Sequence, residues 1–448
     1  MKPVTLREYD YLTVGEPNEK VPKGKRLAVG IPQSAFDYLE RLLEKEESKS
    51  DADDYAFFLS RKGKLLFQVQ SYVGVLQTPC GTQIEILPKT ANATDMSDDN
   101  SRKMLLRMLR YLKDANFKQS GDAHLRKAPM HLLELFISYF LQEVNTLVKR
   151  GIRSDYVTRE ENQGFLKGKL LVKEQVRVNA VQQQRFFCAY DEYEPNRPEN
   201  RLLHSALLKV LKISRNTNNQ RLCRELLFVF ADVPYSRHVK QDFSKCKSNR
   251  AMMHYQHPLA WCRIILDEES TVPEADKTAS ISILFPMEKI FEDYVVAMLK
   301  KQLQPLGFTV TAQAQQQHLC TDLNIGENKF RLKPDILIRG QDGVCWVADT
   351  KWKTIDASQP RKNYLISQGD MYQMYAYGHK YQCQGLFLIY PQTEAFKSEI
   401  HFEFKEGEPI GLPLVCLPFG CDSTGSLDHF QLYQQLPIKQ NCATLIVA

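Results

Sequence analysis

Apolar residues recur at helical spacing most clearly over residues 130–148. Leu132, Phe136, Tyr139, Phe140, Val144 and Leu147 share one face, with polar residues between them. That stripe predicts a long helix with its apolar face in a core. A shorter basic helix is predicted over 102–112, and another over 221–230. Residues 195–211 begin as a turn-rich loop and become helical through Leu202, Ala206, Leu207 and Val210. Residues 55–59, 65–72 and 83–87 instead alternate or cluster β-branched and aromatic side chains between glycines and prolines, which predicts strands. Residues 154–178 return to short β segments around Gly164 and Gly168.

Beyond residue 280 the order changes. A helix is predicted over 286–303, with Pro286 suited to its first turn. A short strand follows over 309–312. Strands over 328–339 and 344–353 are joined by a tight turn, 340–343, and then come a helix over 367–381 and an apolar strand over 385–390. A helix, a hairpin, a helix and a strand make an α/β layer. Polar, turn-rich stretches at 44–53, 91–101 and 267–280 read as loops, the last as a domain boundary. The expected organisation is a β-rich N-terminal domain (1–125), a basic helical and β middle region (126–270), an α/β domain (281–400) and a C-terminal extension (401–448). A mixed α+β region thus precedes an α/β domain.

A length of 448 residues suits several domains, and 43% hydrophobic with 25% charged residues is ordinary for a globular chain. No apolar run approaches the roughly 20 residues that span a bilayer, so no membrane association is expected. The start carries Lys2, Arg7, Glu8 and Asp10 without an apolar run, so no signal peptide is expected and the compartment reads as cytoplasmic. The 11 cysteines contain no C-x2-C pair, which favours reduced thiols over a zinc site or a disulfide framework. The net charge of +6 is uneven: residues 149–250 hold 21 Lys/Arg against 11 Asp/Glu. Such a block suits a polyanion or is simply a solvated surface.

The sharpest chemical signal is Lys333-Pro334-Asp335 followed by Asp349-Thr350-Lys351, with 13 residues between the two aspartates. Asp349 and Lys351 are two apart on a strand and point the same way. The turn folds Asp335 back beside them. Two carboxylates and an ammonium then share one site, which is costly unless they serve one another or a cation. Converging carboxylates are hard ligands for Mg2+ or Mn2+, which polarise a phosphodiester and lower the pKa of a water. The neighbouring lysine is placed to orient a hydroxide or balance transition-state charge.

The pattern P-D-(x13)-D-x-K resembles that of the PD-(D/E)xK nuclease superfamily. That resemblance implies an α/β nuclease domain and a metal site made by Asp335, Asp349 and a glutamate on the preceding helix, Glu292, with Glu288 one turn earlier as the alternative. It also gives Gln373 and Tyr377, a Q-x3-Y pair one turn apart, a place near the DNA strand. D-x-K alone is common; the ordered combination is not.

The likeness extends further. VADTKWK (347–353), GDMYQMYAYG (369–378), YVGV (72–75) with IEILPK (84–89), GFLKGK (164–169) and NRPENRLL (196–203) are similar to segments of the McrC family, part of McrBC-type 5-methylcytosine-directed restriction systems. This implies a Mg2+-dependent endonuclease subunit acting on double-stranded, modified DNA beside a McrB-like AAA+ GTPase, with the N-terminal region docking into the partner. The chain has no Walker A loop: in GFLKGK the spacing is short, and Leu170 stands where Ser or Thr would bind Mg2+. Two other readings remain. One is a catalytically silent adaptor regulating the AAA+ partner, which an intact Asp335, Asp349 and Lys351 disfavours. The other is a stand-alone repair nuclease, which the N-terminal motifs disfavour. His318, His379 and His401 stand singly and read as surface or structural residues, and Trp346 and Trp352 read as core.

Overall fold

The apolar runs beyond residue 300 become a six-stranded sheet in the computed structural model. Its order is Thr309–Ala312, Ile336–Arg339, Cys345–Thr350, Gly385–Pro391, Leu412–Phe419 and Ile400–Phe404. Residues 3–15, 28–47, 59–63, 66–89, 98–112, 131–246, 250–266, 280–340, 343–404 and 411–420 are described; the expected strand residues 55–58 and most of the three polar stretches lie outside them. Ile336–Arg339 runs antiparallel to Cys345–Thr350, whereas Gly385–Pro391 is parallel to both Cys345–Thr350 and Leu412–Phe419. Parallel neighbours need a crossover, and the helix Gln368–Tyr381 supplies the first one. Every residue of Gly385–Pro391 is buried, as its continuous apolar run requires of a strand covered on both faces. The helix lies close because Gly378 has no Cβ; one added there would collide with Leu412. Met374, Tyr377 and Tyr381 pack into a core with Leu337, Val347, Leu386 and Leu388. The helix Met287–Leu303 sets Phe291 and Tyr294 against Phe419.

Two expectations are corrected here. Residues 328–339 are not one strand. Glu327–Leu332 pairs with Gln317–Asp322 as a separate ribbon, and only Ile336–Arg339 joins the sheet. The break falls at Pro334, which has no N–H to offer a ladder. The sheet also does not end at residue 400: Leu412–Phe419 and Ile400–Phe404 complete it. An apolar strand buried on both faces makes a poor edge, so Gly385–Pro391 needs that second neighbour.

The chain divides into two compact units, Met1–Val75 with Thr82–Pro129 and Leu284–Ala448, and Leu76–Gly81 with Met130–Ile283. The regions expected as 1–125 and 281–400 therefore largely share the first unit. Besides the six-stranded sheet it includes Val4–Arg7 paired in parallel with Gln83–Leu87 in a second sheet. Glu85 is buried in this sheet and is gripped by Arg102 of the helix Asp98–Leu109 at 2.9 and 2.6 Å. A third sheet orders Ala28–Ile31, Tyr11–Val14, Leu66–Val69 and Leu59–Gly63. The helix Gln33–Glu47, unforeseen in the sequence, sits on it with Phe36 stacked 4.4 Å from Phe67.

In the second unit the helix Leu132–Lys149 buries all six residues of the predicted stripe. It gathers with Pro198–Ile213, Thr217–Val229 and Gln256–Leu266. Asn216 starts Thr217–Val229 by accepting the N–H groups of Asn218 and Asn219. Asp155–Gln163, Phe186–Glu194 and Lys169–Leu170 form a small antiparallel sheet, and Val172–Val178 is a helix rather than the β segment expected there.

Candidate functional site

Asp335 and Asp349 come opposite each other at the ends of neighbouring strands because Ile336 lies opposite Ala348, one residue inward on each strand. Asp335 Oδ2 accepts both the N–H and the hydroxyl of Thr350, each at 2.7 Å. Asp349 is buried, and Lys351 Nζ is 2.6 Å from its Oδ2. The lysine's backbone is fixed as well: its N–H donates to the Ile389 carbonyl at 2.9 Å, extending the parallel ladder by one residue. Its ammonium also donates to Gln373 Oε1 at 3.0 Å, and Gln373 Nε2 donates to Tyr377 Oη at 2.8 Å. Gln373 and Tyr377 thus join the site by bracing Lys351. Tyr377 is buried, and burial lifts its hydroxyl to about 12.

Burial and then the Asp335 charge push the Asp349 carboxyl up to about 7, against the pull of Lys351. Burial works against the Lys351 ammonium, but the Asp349 and Asp335 charges and the Asp349 hydrogen bond outweigh it, so it is held above the ordinary lysine value. Two carboxylates thus crowd a single ammonium at this centre.

Asp335, Thr350 and Lys351 face a cleft of about 740 Å3, walled opposite by Glu288, Glu292 and Asp293 of the helix Met287–Leu303. Glu288 and Glu292, four apart, share that helix face. Gln313 bridges the cleft: its side chain donates to Glu292 Oε1 at 2.9 Å and its backbone N–H to the Asp335 carbonyl at 2.8 Å. Among the described residues, no three carboxylates, imidazoles or thiols stand close enough to ligate one ion. Glu292 consequently shares the cleft with Asp335, while Asp349 lies buried behind it, and the three do not form one cluster. The donor chemistry still fits Mg2+ or Mn2+: such ions take one or two carboxylates and complete their shell with water and substrate phosphate. Two crowded carboxylates at the edge of a polar cleft, one of them reluctant to ionise, are the arrangement such an ion would relieve.

Sequence reasoning missed Thr350 and the pair Lys353 and Asp370, which meet at 2.9 Å beside the same cleft. The strand period that aligned Asp349 with Lys351 continues to Lys353 and was the available signal. Three arginines of the basic block are engaged within the chain: Arg159 with Glu192 and Glu194, Arg197 with Asp155, and Arg201 with Asp242. His401 is exposed beside Glu399, and nine described cysteines are free thiols. Among the described residues no helix is long and apolar enough to cross a membrane.

A family model described as "McrBC 5-methylcytosine restriction system component" matches residues 67–391. No curated protein matches the chain. A chain in the refined half-complex from a tetradecameric assembly of Thermococcus gammatolerans McrB AAA+ hexamers with bound McrC is similar in fold. The match has a TM-score of 0.69 and 19% identity over 97% of this chain and 100% of that one. A chain of the cryo-EM structure of the Thermococcus gammatolerans McrBC complex matches at TM-score 0.51 and 20% identity, over 71% of this chain and 90% of that one.

Proposed function

The chain belongs to the family of McrBC 5-methylcytosine restriction system components, and from that membership we propose that it is the DNA-cleaving subunit of such a system. In this reading the six-stranded sheet with its helices is a PD-(D/E)xK nuclease core, and the chain works in the cytoplasm with a McrB-like AAA+ GTPase. The solved assemblies similar to it contain that kind of partner. The observation that carries the reading is the convergence of Asp335, Asp349 and Lys351 beside one polar cleft.

Asp335 and Asp349 are the residues that would hold Mg2+ or Mn2+, with Glu292 facing them across the cleft. When bound, such an ion lowers the pKa of a water and offsets charge on a phosphodiester. The other roles fall to the chain itself. Thr350 holds the Asp335 carboxylate in one orientation through two hydrogen bonds. Lys351, kept protonated by its carboxylate neighbours and braced by Gln373, presents a fixed positive charge to the phosphate oxygens as negative charge grows on them.

The test is Mg2+-dependent cleavage of 5-methylcytosine-containing plasmid with the AAA+ partner and GTP present. Asp335→Ala and Asp349→Ala should abolish cutting, and Lys351→Ala should slow it roughly 10²–10³-fold. Cutting by Lys351→Ala at the wild-type rate would sink the nuclease reading and leave a nuclease-like adaptor of the AAA+ protein.

A further inference from the structure

The segment 84–89 and the segment 347–353, two of the motif patches in the sequence, meet in space. They do so around Glu8, which is fully buried. Its carboxylate accepts Trp352 Nε1 at 3.0 Å to each oxygen, the Lys89 N–H at 2.9 Å and the Ser71 hydroxyl at 3.4 Å. Lys89 Nζ in turn donates to the Trp352 carbonyl at 3.0 Å, across 263 residues of sequence. Trp352 is therefore held at both its ring and its backbone by residues from the first 90 positions.

The place of Trp352 gives that grip its meaning. It lies between Lys351 and Lys353, both of which face the cleft. Its ring tilts against Phe291 at a centroid distance of 5.2 Å, and Phe291 immediately precedes Glu292. The Ser71 carbonyl accepts the N–H of Met287, the first residue of the same helix, at 2.9 Å. One buried carboxylate thus ties together the segment carrying Lys351 and the start of the helix carrying Glu288 and Glu292, which are the two walls of the cleft. Packing alone would be served at least as well by an apolar side chain, because a buried charge is costly. A carboxylate that collects donors from three separate segments fixes their mutual geometry.

We propose that Glu8 and Lys89 are positioning residues for Lys351: they anchor Trp352, so the N-terminal strands complete the cleft. This rests on the nuclease reading. The active form of the site then requires the N-terminal segment, although none of its side chains touches the reacting atoms.

The experiment compares Trp352→Phe, which loses the indole N–H and keeps the ring, with Lys89→Met, which loses the ammonium and keeps the length. Both are assayed as full chains with the AAA+ partner, GTP and Mg2+ on 5-methylcytosine-containing plasmid. A misplaced group of this kind costs up to about 10²-fold in rate, so kcat should fall roughly 10- to 100-fold. The DNA concentration for half-maximal rate and the partner's GTP turnover should stay at wild type, and Lys89→Arg should restore cutting. Two results overturn the inference: wild-type kcat in both variants, or a parallel loss of kcat, DNA affinity and GTP turnover that tracks a lowered unfolding midpoint. Lys351→Ala, run alongside, separates the failures. If it is inactive while Trp352→Phe and Lys89→Met cut normally, only the positioning role falls; if it cuts normally, the nuclease reading falls.

Discussion

Burial lifts the Glu8 carboxyl above the ordinary glutamate range, against the Lys89 charge and the hydrogen bonds from Lys89, Trp352 and Ser71. The folded chain therefore holds this proton more tightly than the unfolded chain does. The associated stability is complete below the unfolded value and is lost as pH rises through the folded one. Trp352→Phe removes a donor to the carboxylate and should raise Glu8 further. The gap in unfolding midpoint between wild type and Trp352→Phe should then be small near the ordinary glutamate value and widen toward neutrality; a gap that is constant with pH would refute this. Glu85 is a second buried carboxylate, and its partner is a bidentate Arg102. Glu85→Ala leaves that guanidinium with Asp99 alone, at 2.8 Å, and should cost less than the roughly 3–5 kcal/mol of a fully orphaned buried charge in urea unfolding. Adding Arg102→Met should recover part of the loss, because part of the penalty lies in the half-paired charge.

Among elements, the helix Gln368–Tyr381 depends on Gly378 for its approach to the sheet. Gly378→Ala would raise helix propensity by about 1 kcal/mol on an open surface. Here the new methyl meets Leu412, so a net loss of about 1–3 kcal/mol is expected in denaturant unfolding. Stabilisation by Gly378→Ala would show that the collision relaxes freely. The elements legible in the sequence were those with a strong local period. Met287–Leu303, Gln368–Tyr381 and Gly385–Pro391 are all found within two residues of their expected bounds. What stayed hidden depends on distant partners. Val4–Arg7 is four residues long and becomes a strand by pairing in parallel with Gln83–Leu87. Leu412–Phe419 is interrupted by Pro413 and Pro418 and gains its place from Gly385–Pro391. Val172–Val178 keeps its valines exposed, so no core-facing stripe marked it as a helix. The site followed the same rule. Asp335, Asp349 and Lys351 were readable because strand alternation fixes them locally, whereas the grip of Glu8 on Trp352 spans 344 residues and leaves no local period.

At the scale of the whole molecule, the segment most like a phosphate-binding loop is excluded by its surroundings. Residues 164–168 link Asp155–Gln163 to the two-residue strand Lys169–Leu170, rather than leading a strand into a long helix. Gly168 has φ +72°, and a Cβ there would strike the Ala189 carbonyl, so this glycine serves a tight approach within a small sheet. A phosphate cradle needs a glycine-rich loop feeding the N-terminus of a helix. On the proposed reading, nucleotide hydrolysis then comes from the AAA+ partner. The purified chain is accordingly expected to turn over neither GTP nor ATP, and to cleave DNA only when the AAA+ protein is added. The two activities should also separate by mutation. Asp349→Ala and Lys351→Ala change charges at the site, so the first should abolish cleavage and the second slow it, while both variants still raise the partner's GTP turnover as wild type does. Measuring both rates on the same complexes decides the matter. GTP turnover by the lone chain would reveal a nucleotide site of its own, and a fall in partner stimulation alongside cleavage would move the docking surface to the cleft.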